Sequence, residues 1–90
     1  MRVKFFAYLR DYTDCVETDV PAPATVGDLA RILSDRYGAK LREKLLAPDG
    51  GLGAEIIIMI NGRHVVHLGG ADAPLSEEDV AQIFPMVAGG

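Results

Sequence analysis

The chain holds one cysteine, Cys15, in ninety residues, which excludes an internal disulfide framework. Positive charge is scarce. Nine Lys and Arg stand against thirteen Asp and Glu, a net charge of −4, and the cations are scattered along the sequence. Nucleic-acid binding normally needs a basic stripe, so that class is set aside. No apolar run reaches the length of a bilayer span, and no charged-then-apolar leader opens the sequence. The expectation is a cytoplasmic protein with neither nucleic acid nor membrane as partner. What is present is ordinary globular composition, 49% hydrophobic and 24% charged. The length suits one domain, 1–90, with a modest core.

Period-two alternation from Arg2 to Leu9 predicts a strand. Val3, Phe5, Ala7 and Leu9 should face the core, leaving Phe6 and Tyr8 on an unusually aromatic outer face. Arg10 to Asp14 reads as a turn, and Val16 to Val20 as a second, short strand stopped by Pro21 and Pro23. Thr25 is placed to cap a helix, with Asp28 on its first turn and Val26, Leu29, Ile32, Leu33 and Tyr37 on its apolar face. Gly38 is a natural stop, and Ala39 to Leu46 suggests a shorter helical piece.

Glu55 to Ile60 is a β-branched run that predicts a central strand buried on both faces. Asn61-Gly62 then signals a hairpin, because both residues accept positive φ. Its return strand is expected over Arg63 to Val66. His67 to Pro74 reads as a loop, Leu75 to Asp79 as a tight turn, and Val80 to Phe84 as the last strand. One amphipathic helix laid on a mixed sheet of about five strands satisfies the two-layer rule. The expectation is an α+β fold of β-grasp type, with the first and last strands parallel.

Few residues are arranged for catalysis. His64 and His67 are three apart, which in a strand points them to opposite faces and argues against a metal site. Cys15 lies in a polar stretch with no histidine near it in sequence. The acids Glu77, Glu78 and Asp79 read as a solvated turn, or as charge that steers a basic partner. Gly50-Gly51-Leu52-Gly53 precedes a strand and not a helix, so it lacks the dipole of a phosphate loop. No catalytic constellation and no bound metal or cofactor are expected.

The end of the chain is the informative stretch. Gly89 and Gly90 carry no side chains, so a tail built on them should stay flexible and enter channels too narrow for other residues. If Ala81 and Ile83 face inward, Phe84, Met86 and Val87 lie exposed beside the tail, close to Phe6 and Tyr8. Such an apolar patch usually marks a partner surface.

These residues also carry a resemblance. Phe84-Pro85-Met86-Val87-Ala88-Gly89-Gly90 resembles the Phe-Pro-Pro-Val-x-Gly-Gly terminus of the molybdopterin synthase small-subunit family of ubiquitin-like sulfur carriers. Val3 to Arg10, Thr25 to Leu29, Ile60-Asn61-Gly62 and Asp72 to Leu75 resemble that family's first strand, helix start, central hairpin and approach to the last strand. The chain departs from the pattern at Met86, where the family usually has a second proline, and around Ala47 to Gly53, where it is longer.

The resemblance implies a ubiquitin-like carrier and not an enzyme. An adenylyltransferase similar to ubiquitin-activating enzymes uses ATP to activate the carboxylate of Gly90, which then becomes a thiocarboxylate. Gly89 gives clearance. Phe6, Phe84, Pro85, Met86 and Val87 are expected to bind partners, among them the large subunit of molybdopterin synthase. The alternatives in the same chemistry are thiazole or thio-nucleoside synthesis. A ubiquitin-like protein modifier and a plain interaction module are the alternatives outside it.

Overall fold

The computed structural model describes residues 1–86. Five strands form one mixed sheet: β1 (Arg2–Phe5), β2 (Glu17–Asp19), β3 (Ile56–Ile60), β4 (Arg63–His64) and β5 (Val80–Pro85), in the order β2-β1-β5-β3-β4. Three helices, α1 (Leu9–Thr13), α2 (Val26–Tyr37) and α3 (Ala39–Leu45), complete the regular structure. Strand β5 is the centre of the sheet. It runs parallel to β1, with Val3 opposite Ala81 and Phe5 opposite Ile83, and antiparallel to β3, with Ile58 opposite Ile83. The sheet is the β-grasp arrangement expected, parallel pair included.

The long helix forms where its signals lie. The Thr25 hydroxyl accepts the Asp28 amide at 3.2 Å, and Gly38 closes the helix at φ 99°, a region that favours glycine. Val26, Leu29, Ala30 and Leu33 press into the sheet. Ile32, expected on the same face, sits at its edge and is 36% exposed. Ser34 takes a buried place instead, and its hydroxyl donates to the Ala30 carbonyl at 2.7 Å, so burial leaves no orphaned group. Leu41 and Leu45 of α3 close the core over Val3, Phe5, Ile58 and Ile83.

Three expectations about the strands need correction. The first strand ends at Phe5, not Leu9. Ala7 takes a positive φ of 53° and is exposed, and the chain turns into α1. Leu9 still reaches the core, but from a helix, with Thr13 one turn on. Strand β3 is buried on one face only. Ile56, Ile58 and Ile60 are buried while Ile57 and Met59 are half-buried, because helices cover a single side of the sheet. The return strand β4 has only two residues. The hairpin turn forms as expected, with Asn61 at φ 53° and Gly62 at φ 82°, but Val65–His67 winds into a 3-10 turn. A second 3-10 turn, Gly70–Asp72, lies in the stretch read as loop. Among the described residues no helix is long and apolar enough to cross a membrane.

Candidate functional site

Among the described residues no helix covers the outer face of the sheet, and β3, β5 and the end of β1 bring apolar side chains together on it. Phe6 and Phe84 stack, with ring centroids 4.3 Å apart and planes 14° from parallel. Phe84 is opposite Ile57 across the β3–β5 ladder, and Met59 is opposite Gln82 two pairs further along. Ile57 and Phe84, opposite one another, share a face, and Phe6, the residue after β1, stacks on Phe84, so the three form a row. All three are half-buried, and Met86 beyond them is 48% exposed. The expectation that Phe6 and Phe84 would lie together is met. Tyr8 is not with them. The turn at Ala7 carries it toward Tyr12, at 5.5 Å, and Lys44, whose Nζ is 5.8 Å from its ring.

Pro85 differs from the expectation for a docking residue. It is buried opposite Ile56, on the inward phase of β5. Proline has no amide hydrogen to donate, and the next amide, of Met86, donates to the Glu55 carbonyl at 2.7 Å. Pro85 and Met86 thus hold the root of the tail to the start of β3. Glu55 is in turn held by Lys44 at 3.0 Å, and that hydrogen bond raises the Lys44 pKa. Val87, Gly89 and Gly90, and with them the expectation of a flexible tail, lie outside the described residues.

The charge beside the row is positive. The Arg10 guanidinium lies 5.5 Å from the Phe6 ring centre, and its Nε donates to the Phe5 carbonyl at 2.9 Å. Lys4 is opposite Gln82, on the same face as Phe84. Neither Lys4 nor Arg10 is paired with an acid among the described residues. Sequence reading missed Arg10, Ile57 and Met59 as members of this face. The alternation within β3 held the signal for the last two, but an unbroken apolar run hides a two-faced strand.

The acidic run sits elsewhere and has other work. It precedes β5, so it stands at the end of the strand opposite Met86, with Asp79 roughly 23 Å away at about 3.3 Å per residue. The Glu77 carboxylate accepts the Ala22 amide at 2.8 Å and the Met1 amine at 3.1 Å. Asp79 accepts the Ser76 amide at 2.9 Å and the Asn61 side-chain amide at 2.8 Å. These bonds lower both pKa values, chiefly through the Ala22 and Ser76 amides. Two of the three acids therefore hold loops together.

The remaining candidates assemble no chemistry. His64 and His67, expected on opposite faces, approach at 6.2 Å because the 3-10 turn brings them round. The His64 Nδ1 is occupied by the Val66 amide at 3.1 Å. Among the described residues no group of three or more His, Cys, Asp or Glu is placed to hold a metal. Cys15 is half-buried, with its sulfur 3.5 Å from the Tyr37 hydroxyl.

Known proteins share this sheet and its sequence. Small archaeal modifier protein 3 of Haloferax volcanii is 36% identical over 92 aligned residues, covering 100% of this chain and 98% of the relative. A chain of the BexX/CysO complex of Amycolatopsis orientalis superposes with a TM-score of 0.80 at 27% identity, covering 99% of this chain and 98% of that one. A putative molybdopterin converting factor subunit 1 from Pyrococcus furiosus superposes with a TM-score of 0.72 at 31% identity, covering 96% and 95%. Residues 3–90 match the ThiS family. The bare outer sheet face, the five-stranded order and this match over nearly the whole length place the chain in the ThiS family of ubiquitin-like sulfur carrier and modifier proteins.

Proposed function

We propose that this protein is a sulfur carrier in which the Gly90 carboxylate is loaded as a thiocarboxylate, and the outer sheet face holds the proteins that load and unload it. The observation that carries the reading is contiguity. The Phe6–Phe84–Ile57 row lies on the strands around β5, and β5 leads through Met86 into residues 87–90. A partner seated on this face has the tail beside its own active site. Gly89 supplies clearance for entry into a narrow channel.

The chemistry follows from the weakness of a carboxylate as an electrophile. One Gly90 oxygen bonds to the α-phosphorus of ATP and pyrophosphate leaves. A hydrosulfide-level nucleophile then adds to the acyl carbon, AMP leaves with its bridging oxygen, and a proton is released. Covalent activation of this kind divides one hard step into two easier ones. ATP belongs to the adenylyltransferase, and the carrier itself binds no cofactor. Phe6, Phe84, Met86 and Val87 make the contacts while Pro85 sets the direction of the tail. Lys4 and Arg10 beside the row call for an acidic partner surface, the reverse of the basic partner that the acidic run suggested.

The proposed acceptor is the pyranopterin precursor of molybdopterin, bound by a synthase large subunit. The similarity to the Pyrococcus furiosus protein supports it. A second reading, conjugation of Gly90 to lysines of target proteins, is supported by the similarity to an archaeal modifier protein. Intact mass after co-expression with the activating and sulfur-donating enzymes separates the two. Exchange of one oxygen for sulfur at Gly90 is the expected result, and a ladder of heavier conjugates supports the modifier. An unchanged mass beside a demonstrably active activating enzyme overturns both.

A further inference from the structure

Arg10 reaches the outer face by way of the turn that ends β1. Ala7 takes a φ of 53°, the amides of Leu9 and Arg10 donate to the Phe6 and Ala7 carbonyls, both at 3.2 Å, and the chain turns into α1. Buried Leu9 anchors that helix in the core, so Arg10, exposed and one residue on, is held at the Phe6 end of the apolar row. Its guanidinium is fixed twice. Nε donates to the Phe5 carbonyl at 2.9 Å, and Cζ lies 5.5 Å from the centre of the Phe6 ring, which itself stacks on Phe84. Of the five guanidinium donors, those on Nη1 and Nη2 pair with no acid among the described residues. The Lys4 amine is likewise unpaired on this face, but no aromatic ring among the described residues fixes it.

We propose that Arg10 is the specificity-determining residue of the docking face, and that its Nη1 and Nη2 take up a single Asp or Glu carboxylate of the activating enzyme in a two-pronged ion pair. The inference rests on the reading that this enzyme seats on the outer sheet face. Apolar contact carries no direction, so Phe6, Phe84 and Ile57 alone let a flat apolar surface settle on the row in more than one orientation. An oriented charge at the Phe6 end admits one. A guanidinium pairs a carboxylate through two parallel bonds and, when already held, gives up little freedom in doing so. A free phosphate or nucleotide at Arg10 would leave the adjoining row bare to water. A carboxylate on a protein surface arrives with the apolar cover that the row needs. Fixing the orientation also fixes where the chain leaves the interface, because β5 carries both Phe84 and, through Pro85, the root of the tail.

The test uses the full chain and the activating enzyme. Arg10→Met keeps an aliphatic stem against Phe6 and should lower the melting temperature by no more than a few degrees. It should raise the KM for the carrier in adenylation about ten- to a hundredfold, with kcat within about twofold, as loss of one charge-assisted pair predicts. Arg10→Lys keeps the charge without the fork and should remain about tenfold weaker than the unmodified chain. The same variant places an amine at the site. Carbodiimide coupling in the complex should join that amine to one Asp or Glu of the enzyme, mapped by mass spectrometry. An unchanged KM for Arg10→Met overturns the inference and leaves the docking face standing. So do full affinity in Arg10→Lys, and coupling of the enzyme's acids to Lys4 alone. An unmodified chain that the enzyme neither binds nor adenylates overturns the docking face, and this inference with it.

Discussion

Phe84 divides its ring between packing and exposure. One side rests on Phe6, a contact worth about 0.5–1.5 kcal/mol, and the rest is open to a partner. Phe84→Asp should therefore cost about 1 kcal/mol of stability and about 2 kcal/mol of partner binding, as for an aromatic anchor near the middle of an interface. Titration calorimetry against the activating enzyme reads the second loss, and circular dichroism should show the sheet intact. Unchanged affinity would take Phe84 out of the interface. Gly53 is a different kind of residue, held by space. Gly53→Ala drives a Cβ onto the Lys44 carbonyl, an overpacking that costs about 1–3 kcal/mol. A melting temperature lower by about 10 °C is expected for a domain of this size. Gly38→Ala meets no atom within 4 Å but must hold φ near 99°. Its loss should come from the backbone alone, about 1–3 kcal/mol for a φ of 99° with ψ of −167°.

At the scale of elements, the acids show how a loop is tied. Glu77 joins the turn before β5 to Ala22 and to the amine of Met1. Asp79 joins the same turn to the β3–β4 hairpin through Asn61, whose side-chain oxygen accepts the Val80 amide at 2.9 Å. Both carboxyls are held below their ordinary values of 4.5 and 3.8. As pH falls through this range the unfolded chain takes up protons first, so its free energy drops relative to the folded state. The stabilisation is fully present above the unfolded values and is lost as pH falls through the lower folded ones. Stability measured by urea titration should therefore hold to about pH 5 and decline below it. Glu77→Gln should flatten part of that decline; an unchanged pH profile would remove Glu77 from the linkage.

The same elements show which features were legible. The helix α2 has a capping threonine, a helical stripe and a terminal glycine, all local to it, and it forms where these predict. The Asn61-Gly62 turn likewise needs nothing beyond its own φ preferences. The five residues of α1 are too few for a helical period to emerge, so Leu9 reads as the end of the first strand and Arg10 to Asp14 as a turn. The work of the acids was hidden for another reason. Glu77 and Ala22 are 55 positions apart, and no window of sequence spans such a bond. On the outer sheet face, Phe6, Phe84 and Met86 were readable from strand phase. Ile57, Met59 and Arg10 were not, because their membership depends on which face the helices leave bare.

For the molecule as a whole, the proposed carrying by the tail is separate from folding. The buried core runs from Met1 to Ile83. Removing Gly90 should leave the melting temperature unchanged and abolish sulfur transfer in a reconstituted assay. A clear fall in melting temperature would show that the tail packs on the body. The strand order was reachable as the compact way to join two hairpins under one helix. Its decisive feature is that β5 fills the middle of the sheet, between β1 and β3.

The parallel register of β1 and β5 has a mechanical consequence. Arg2 to Phe5 lie against Val80 to Ile83, aligned and pointing the same way. Tension applied between the amino-terminal end of β1 and the tail beyond β5 slides these two strands past each other lengthwise. All the slanted bonds of the ladder then resist together, not one after another as in an opening zipper. An enzyme that tugs on the tail to draw it into its channel pulls against the stiffest direction of the sheet.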